Sequence, residues 1–324
     1  MCTAITYHTS DHYFGRNLDY EQSFGEAITV TPRNYEFAFP KVYNLKKHYA
    51  IIGMAKIENN YPLYYDATNE KGLSMAGLLF AGNAEYNKEM TGKDNIASFE
   101  FIPWILGQCA TVSEARILLN RINIDNRNFD QDLPSTPLHW IIADRIECIV
   151  IECVKEGMRI YDNPMGVLTN NPPFDMQLFN LNNYLSLSCK MPQNSFSNQI
   201  DLQPYSRGMG ALGMPGDPSS MSRFVRAAFI KLNSKSGNTE SESISQFFHI
   251  LDAVSQQRGC VLVDGNQYEI TRYSSCCNID KGIYYYKTYE NSQISAVELY
   301  KEDLDGKNLS GYPLKNEQNV FMQN

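Results

Sequence analysis

Residues 1–19 read MCTAITYHTSDHYFGRNLD: a cysteine one step behind the initiator methionine heads a short apolar strand, and a second strand brings Arg16 and Asp19 back toward it. Initiator methionine is commonly removed when the second residue is small, so Cys2 is expected to become a free amino terminus. One residue then carries a thiol of pKa about 8.5 and an α-amine of pKa about 7.7 to 8.0, a nucleophile and a base at a covalently fixed separation. A base near neutrality suits proton transfer, and a guanidinium such as that of Arg16 favours a thiolate. Spacing alone reads equally well as a small buried hydrophobe at Cys2 and a surface charge at Arg16.

Working outward, AITVTPRNY, HYAIIGMAKI and YPLYYDATN alternate or run apolar, with β-branched and aromatic residues between turn residues, which predicts strands. NEKGLSMAGLLFAG, residues 69–82, predicts a turn and then a strand apolar on both faces, hence a central one. Between 98 and 120 the period becomes helical in FEFIPWILGQC and SEARILLNRI, with Thr111 and Glu114 as a capping box. Strand character returns at 138–143, 148–154, 158–162 and 167–169, followed by a modest helix at 175–184 and a long Pro, Gly, Ser and Asn-rich loop at 193–220. Amphipathic helices are expected at 220–232 and 243–254, then antiparallel strands at 268–278, 282–289 and 293–298. That order predicts an α+β fold, a four-layer αββα sandwich of two antiparallel sheets between helix layers. No repeat or clean boundary divides residues 1–324, so a single domain is expected.

The 324 residues include 28 Lys+Arg against 36 Asp+Glu, a net charge of −8. A dispersed acidic balance argues against nucleic acid or an anionic membrane as partner. A run of about eighteen apolar residues, the length of a membrane span, is absent, as is a basic segment leading an apolar one at the amino terminus. A cytoplasmic location is the expectation, with Cys109, Cys148, Cys153, Cys189, Cys260, Cys276 and Cys277 as reduced core thiols.

Gly208 to Gly213 fit a dinucleotide fingerprint by letters, but no strand precedes them and no helix follows. The five histidines show no metal-ligand spacing, and His139 in LHWII reads as structural. Ser74 in GLSMAG misses the nucleophile elbow by one residue. Letters leave a papain-type Cys/His pair open, although no cysteine here lies in that local context. The constellation that remains is Cys2, Arg16, Asp19, Asn170 and Arg223, each ordinary alone.

Taken together, MCTAITY, FGRNLDY, NEKGLSMAG, LTNNP and SMSRFVRAAF resemble the choloylglycine hydrolase family, a branch of the N-terminal nucleophile hydrolases, from Cys2 to about Tyr300. Within it the likeness is to bacterial bile salt hydrolases, with penicillin V acylases as near relatives. The resemblance implies Cys2 as nucleophile, Arg16 and Asp19 as the pair flanking the amino terminus, Asn170 as the side-chain donor of an oxyanion hole, and Arg223 as a further active-site arginine. It implies hydrolysis of the amide of glycine- or taurine-conjugated bile acids, with no metal or organic cofactor, by a homotetramer. Leu18, Phe24, Phe129, Leu133 and Leu138 fall where the family lines its pocket with apolar side chains.

One position departs from the pattern. Where bile salt hydrolases carry asparagine, and penicillin acylases usually tyrosine, this chain has Leu79. The family uses that residue's backbone N–H for the oxyanion, and leucine keeps it, so the expectation is a working amidase of altered rate or preference. The alternatives are a penicillin V acylase of the same chemistry and a weakly active bile-acid binder. Arg207, beside a glycine in the long loop, is expected to meet the anionic end of the conjugate, with a lean toward the taurine sulfonate.

Overall fold

Cys2–His8 and His12–Tyr20 form strands β1 and β2 of the computed structural model, which describes residues 1–324. They are followed by β3 (Ala27–Thr31), β4 (Ile51–Glu58), β5 (Tyr61–Asn69), β6 (Ser74–Leu79) and β7 (Asp94–Ala97). Helices α1 (Phe101–Gln108) and α2 (Val112–Leu119) lead to β8 (Ile122–Asp125), β9 (Leu138–Ala143), β10 (Cys148–Val154), β11 (Gly157–Asp162) and β12 (Val167–Leu168). Helices α3 (Phe174–Asn180), α4 (Ser220–Asn233) and α5 (Glu240–Asp252) come next. The chain closes with β13 (Leu262–Val263), β14 (Gln267–Tyr268), β15 (Ile270–Asn278), β16 (Ile283–Thr288), β17 (Ser295–Glu298) and β18 (Ser310–Pro313).

Two large antiparallel sheets result. One runs in the order β12-β1-β2-β15-β16-β17, the other β11-β10-β9-β6-β5-β4-β3-β18. The doubly apolar β6 lies between β9 and β5, inside the larger sheet, as its sequence requires. Its alternate side chains serve different cores: Ala76 and Leu78 face one, Met75 the other. The turn before it is built by Asn69, whose Oδ1 accepts the N–H of Lys71 at 3.0 Å and of Leu73 at 3.1 Å, with Gly72 at φ +87°.

One core joins Ile5, Phe14 and Tyr273 of the smaller sheet to Ile52, Met54 and Leu78 of the larger, and includes Phe224 of α4 with Phe247 and Leu251 of α5. The second packs Met75, Trp140 and Ile151 of the larger sheet against Phe101, Trp104 and Leu106 of α1 and Val112 and Leu119 of α2. Truncating a fully buried aromatic such as Trp140 to alanine costs about 3–5 kcal/mol.

Thr111 caps α2, accepting from the Glu114 N–H at 3.1 Å, but the Glu114 carboxylate takes the Ala110 N–H instead of completing the box. A reciprocal capping box does stand at α5, between Thr239 and Glu242, where a helix start at Ser243 was expected. The modest helix is one α-turn pair, α3, continued by a tighter turn at Leu181–Tyr184. The periodicity missed β18, a four-residue strand that is read only by its pairing to β3. All eight cysteines are free, and Cys189 and Cys260 are exposed, which corrects their assignment to the core. No helix is long and apolar enough to cross a membrane.

Candidate active site

Pairing of β1 with β2 sets Cys2 opposite Leu18 and Ala4 opposite Arg16, and β12 flanks β1 on its other side. Met1 continues the ladder: its amine donates to Asp19 O at 2.8 Å, the Asp19 N–H donates to Met1 O at 2.9 Å, and the amine also pairs with Glu269. Cys2 is 6% exposed, yet it borders a cavity of about 430 Å³, so it is enclosed without being sealed off.

Arg16 is fully buried and sits where β5 and β6 stop pairing after Asp66 and Ala76. Its Nη1 donates to Tyr65 O at 3.1 Å and to Gly77 O at 2.6 Å, bridging carbonyls that the diverging strands leave without ladder partners. Burial opposes the guanidinium charge, but Cys2, Tyr273, Asp66 and Asp19 outweigh it and hold the group above its ordinary pKa. Nη2 has no partner, and Arg16 borders the cavity.

Asp19 is similarly half-satisfied. Thr271 Oγ1 donates to its Oδ1 at 2.6 Å, while the buried Oδ2 is unpartnered beside the cavity. Burial raises its carboxyl above the ordinary value, against the pull of Arg223, the amino terminus, Thr271 and Arg16. The amine at Met1 is pushed below its usual value by burial, with Cys2 and Asp19 opposing the shift. Burial therefore keeps more of an amine held here unprotonated than in water.

Asn170, just past β12, reaches the same point. Its Oδ1 accepts the Cys2 N–H at 2.7 Å and an Arg223 Nη2–H at 2.8 Å, and its Nδ2 donates to Leu79 O at 2.8 Å. Arg223, on the buried face of α4, donates through Nη1 to Cys2 O and to Thr3 Oγ1, the latter at 2.6 Å, and through Nε to Pro218 O at 3.0 Å. Burial lowers its pKa, with Asp19 and Cys2 opposing. Arg223 thus grips the backbone of the first residues without bordering the cavity.

Leu79 ends β6 opposite Leu138. The Phe80 N–H bonds Pro137 O at 2.8 Å, so alternation turns the N–H and C=O of Leu79 away from β9; its carbonyl meets Asn170 there, and its N–H points to the same side. Leu79 borders the cavity.

The cavity wall includes Leu18, Phe24, Phe129, Leu133 and Leu138, all five of the apolar positions picked from the sequence. The sequence reading missed Lys56, Leu63, Tyr65, Phe99 and Ile102, which also line it. Their strand and helix patterns were visible, but the side of the sheet on which β5 parts from β6 was not. Arg207, expected to meet the anionic end of the conjugate, is exposed in the long loop, makes no side-chain hydrogen bond and is not part of the wall. The cation there besides Arg16 is Lys56. His139 does not border the cavity; Gly208 and Gly213, at φ +85° and +90°, flank a tight turn rather than opening a helix. No group of three or more His, Cys, Asp or Glu side chains stands close enough to hold a metal.

A family model described as linear amide C–N hydrolases, choloylglycine hydrolase family, matches residues 2–312. The chain is 60% identical over 324 residues to a bile salt hydrolase/transferase of Lactiplantibacillus plantarum, covering 100% of both. A crystal structure of a mutant conjugated bile acid hydrolase from Clostridium perfringens superposes with a TM-score of 0.93 at 37% identity, again over 100% of both chains. A penicillin V acylase from Agrobacterium tumefaciens shares the fold, with a TM-score of 0.75 at 22% identity over 96% of this chain and 90% of that one. This chain belongs to the choloylglycine hydrolase family of linear amide C–N hydrolases.

Proposed function

We propose that this enzyme hydrolyses the amide bond of glycine- or taurine-conjugated bile acids, with Cys2 as nucleophile, and releases the free bile acid and the amino acid. The observation that carries the reading is the meeting of Cys2, two buried unpartnered polar atoms of Arg16 and Asp19, and a largely apolar cavity wall. Relatives whose names record bile salt hydrolysis support the substrate class.

Removal of Met1 turns the Cys2 nitrogen into an amine beside Asn170 Oδ1 and near the Asp19 carboxylate. That amine takes the thiol proton, directly or through water, and sulfur attacks the amide carbonyl. The oxyanion is received by the Leu79 N–H and by Asn170 Nδ2, whose second hydrogen is not used by Leu79 O. The ammonium returns its proton to the leaving nitrogen, the C–N bond breaks, and a thioester forms on Cys2. Water, giving its proton to the same amine, then cleaves the thioester. Arg16 balances the thiolate, and Arg223 orients Cys2 and Asn170. Leu18, Phe24, Phe129, Leu133 and Leu138 hold the steroid.

The core shared by both sheets and the second core beyond the larger one support a four-layer order of α4 and α5, small sheet, large sheet, α1 and α2. Because the two cores meet on the larger sheet, we treat residues 1–324 as one domain. Eight free thiols, two of them exposed, suit a reducing cytoplasm. Exposed Phe179, Leu185, Phe196, Tyr205 and Leu212 support self-association, for which a homotetramer is the proposed state; sedimentation velocity tests it.

A hydrolysis panel of glycine and taurine conjugates and penicillin V, with intact-mass analysis after a substrate pulse, tests the function. Turnover of conjugates with a transient acyl adduct on Cys2 is expected. Turnover of penicillin V alone would make it an acylase of the same chemistry. Binding without an adduct, despite a free Cys2 amine, would make it a bile-acid binder.

A further inference from the structure

Behind the two oxyanion donors lies a polar cluster that touches neither the cavity nor Cys2. His139 on β9 and Glu152 on β10 are both fully buried, with His139 Nδ1 at 3.1 Å from Glu152 Oε1. The other ring nitrogen, Nε2, is 2.9 Å from Thr169 O. A carbonyl only accepts, so Nε2 carries a hydrogen for the residue that precedes Asn170, and a second proton lies between Nδ1 and Glu152 Oε1 to complete that bond. On its face the imidazole stacks on Phe80, with centroids 4.3 Å apart and planes 6° from parallel. Phe80 is the residue after Leu79.

One ring therefore braces the chain next to both donors. Its carboxylate partner extends the brace, since Glu152 Oε1 accepts the Phe174 N–H at 3.0 Å at the start of α3. From α3, Gln177 Nε2 donates to Asn170 O at 2.6 Å and to Pro172 O at 2.8 Å, and its Oε1 accepts from Thr169 Oγ1 at 2.8 Å. The Asn170 N–H in turn donates to Ser220 Oγ at 2.8 Å. Every backbone polar group of Asn170 is thus tied to a side chain. An ionisable pair in a dry core is dearer than a packed apolar pair, and its contacts all lead to the segments that carry Leu79 and Asn170.

We propose that His139 and Glu152, with Gln177 and Ser220, are positioning residues for the oxyanion hole, holding the Leu79 N–H and Asn170 Nδ2 at a mutual distance suited to one oxygen atom. This rests on the reading of Leu79 and Asn170 as oxyanion donors. Glu152 is not freely replaced by its amide. If the Gln oxygen faced Phe174 N–H, His139 Nδ1 would need a proton of its own; if the NH2 faced His139, the Phe174 N–H would lose its acceptor.

The test compares His139→Leu, His139→Gln, Glu152→Gln and Ser220→Ala with the parent, using a glycine-conjugated bile salt and measuring kcat, KM and the acylation rate. A displacement of about 1 Å in such a site costs on the order of 10²-fold, so His139→Leu and Glu152→Gln are expected to lower kcat by about 10- to 100-fold with KM changed less than about threefold. His139→Gln, whose Nε2 can still donate to Thr169 O, should recover most of the loss. Since His139 acts in part through Asn170, adding His139→Leu to Asn170→Ala should cost less than the sum of the two single changes. If His139→Leu does not fold, Ser220→Ala carries the test, because it removes the acceptor of the Asn170 N–H and a donor to Thr169 Oγ1 without touching the buried ion pair. Unchanged kcat in Ser220→Ala and Glu152→Gln, a loss confined to KM, or full additivity with Asn170→Ala would overturn the proposal while the parent remains active. A parent that turns over no amide would overturn the functional reading instead, and this proposal with it.

Discussion

Oδ1 of Asn170 lies 2.7 Å from the backbone nitrogen of Cys2, 168 residues earlier in the chain. The same oxygen takes an Arg223 N–H at 2.8 Å, so two donors determine which end of the amide is oxygen. Nδ2 is thereby left to face Leu79 O and, in the proposed mechanism, the reacting carbonyl. In that mechanism one side chain both orients the nucleophile's residue and supplies a donor to the oxyanion.

Asn170→Ala removes that donor. We expect kcat to fall about 10²- to 10³-fold, equivalent to roughly 2.7–4 kcal/mol of transition-state stabilisation. Steady-state kinetics on a conjugated bile salt measures it. A loss under tenfold would mean that the oxyanion is received elsewhere.

Leu79→Asn restores the residue common in bile salt hydrolases but leaves the backbone N–H where it is. The rate is therefore expected to change by less than about tenfold, well short of the loss of a donor. A larger change in kcat would show that the side chain, bordering the cavity, takes part in orienting the substrate.

Arg16→Leu leaves Tyr65 O and Gly77 O without their shared donor and Asp66 without its nearest cation. Breaking such a buried charge arrangement costs about 3–5 kcal/mol, which urea unfolding followed by tryptophan fluorescence should register. Arg16→Lys should retain only part of the stability, because an ammonium lacks the planar fork. Equal unfolding midpoints for all three proteins would refute the bridging role.

His12, 8% exposed and with both ring nitrogens unpartnered, has its pKa lowered from 6.5 to about 4, chiefly by burial and next by His8. The unfolded chain binds the extra proton first, so stability is complete above about pH 6.5 and is lost as pH falls toward 4. His12→Phe is expected to flatten the stability curve in that window by up to about 3 kcal/mol, measured as ΔG of unfolding against pH. A parallel curve for parent and variant would remove His12 as the cause.

Much of the architecture could be read from local pattern. The doubly apolar 69–82 stretch marked the middle of a sheet because burial on both faces leaves a run of apolar letters, and α4 and α5 declared themselves by period. The Thr239–Glu242 box went unread because polar residues hid it inside what looked like loop, and β18 went unread because its pairing with β3 is not a local property. That Arg207 stands outside the cavity wall was unreadable for a related reason: a cation beside glycines says nothing about which wall the loop meets.

The sequence by itself determined the chemistry available at the amino terminus, the strands that carry Cys2, Arg16 and Asp19, and the family, since side-chain type and short-range period are properties of contiguous residues. Only the tertiary structure decided that Arg16 wedges between β5 and β6, that Arg223 grips Cys2 from 221 residues away, and that His139 stacks on Phe80 while meeting Thr169 O. Those contacts depend on how two sheets pack and where their strands part, and hydrogen-bond geometry over a few tenths of an ångström is set by that packing.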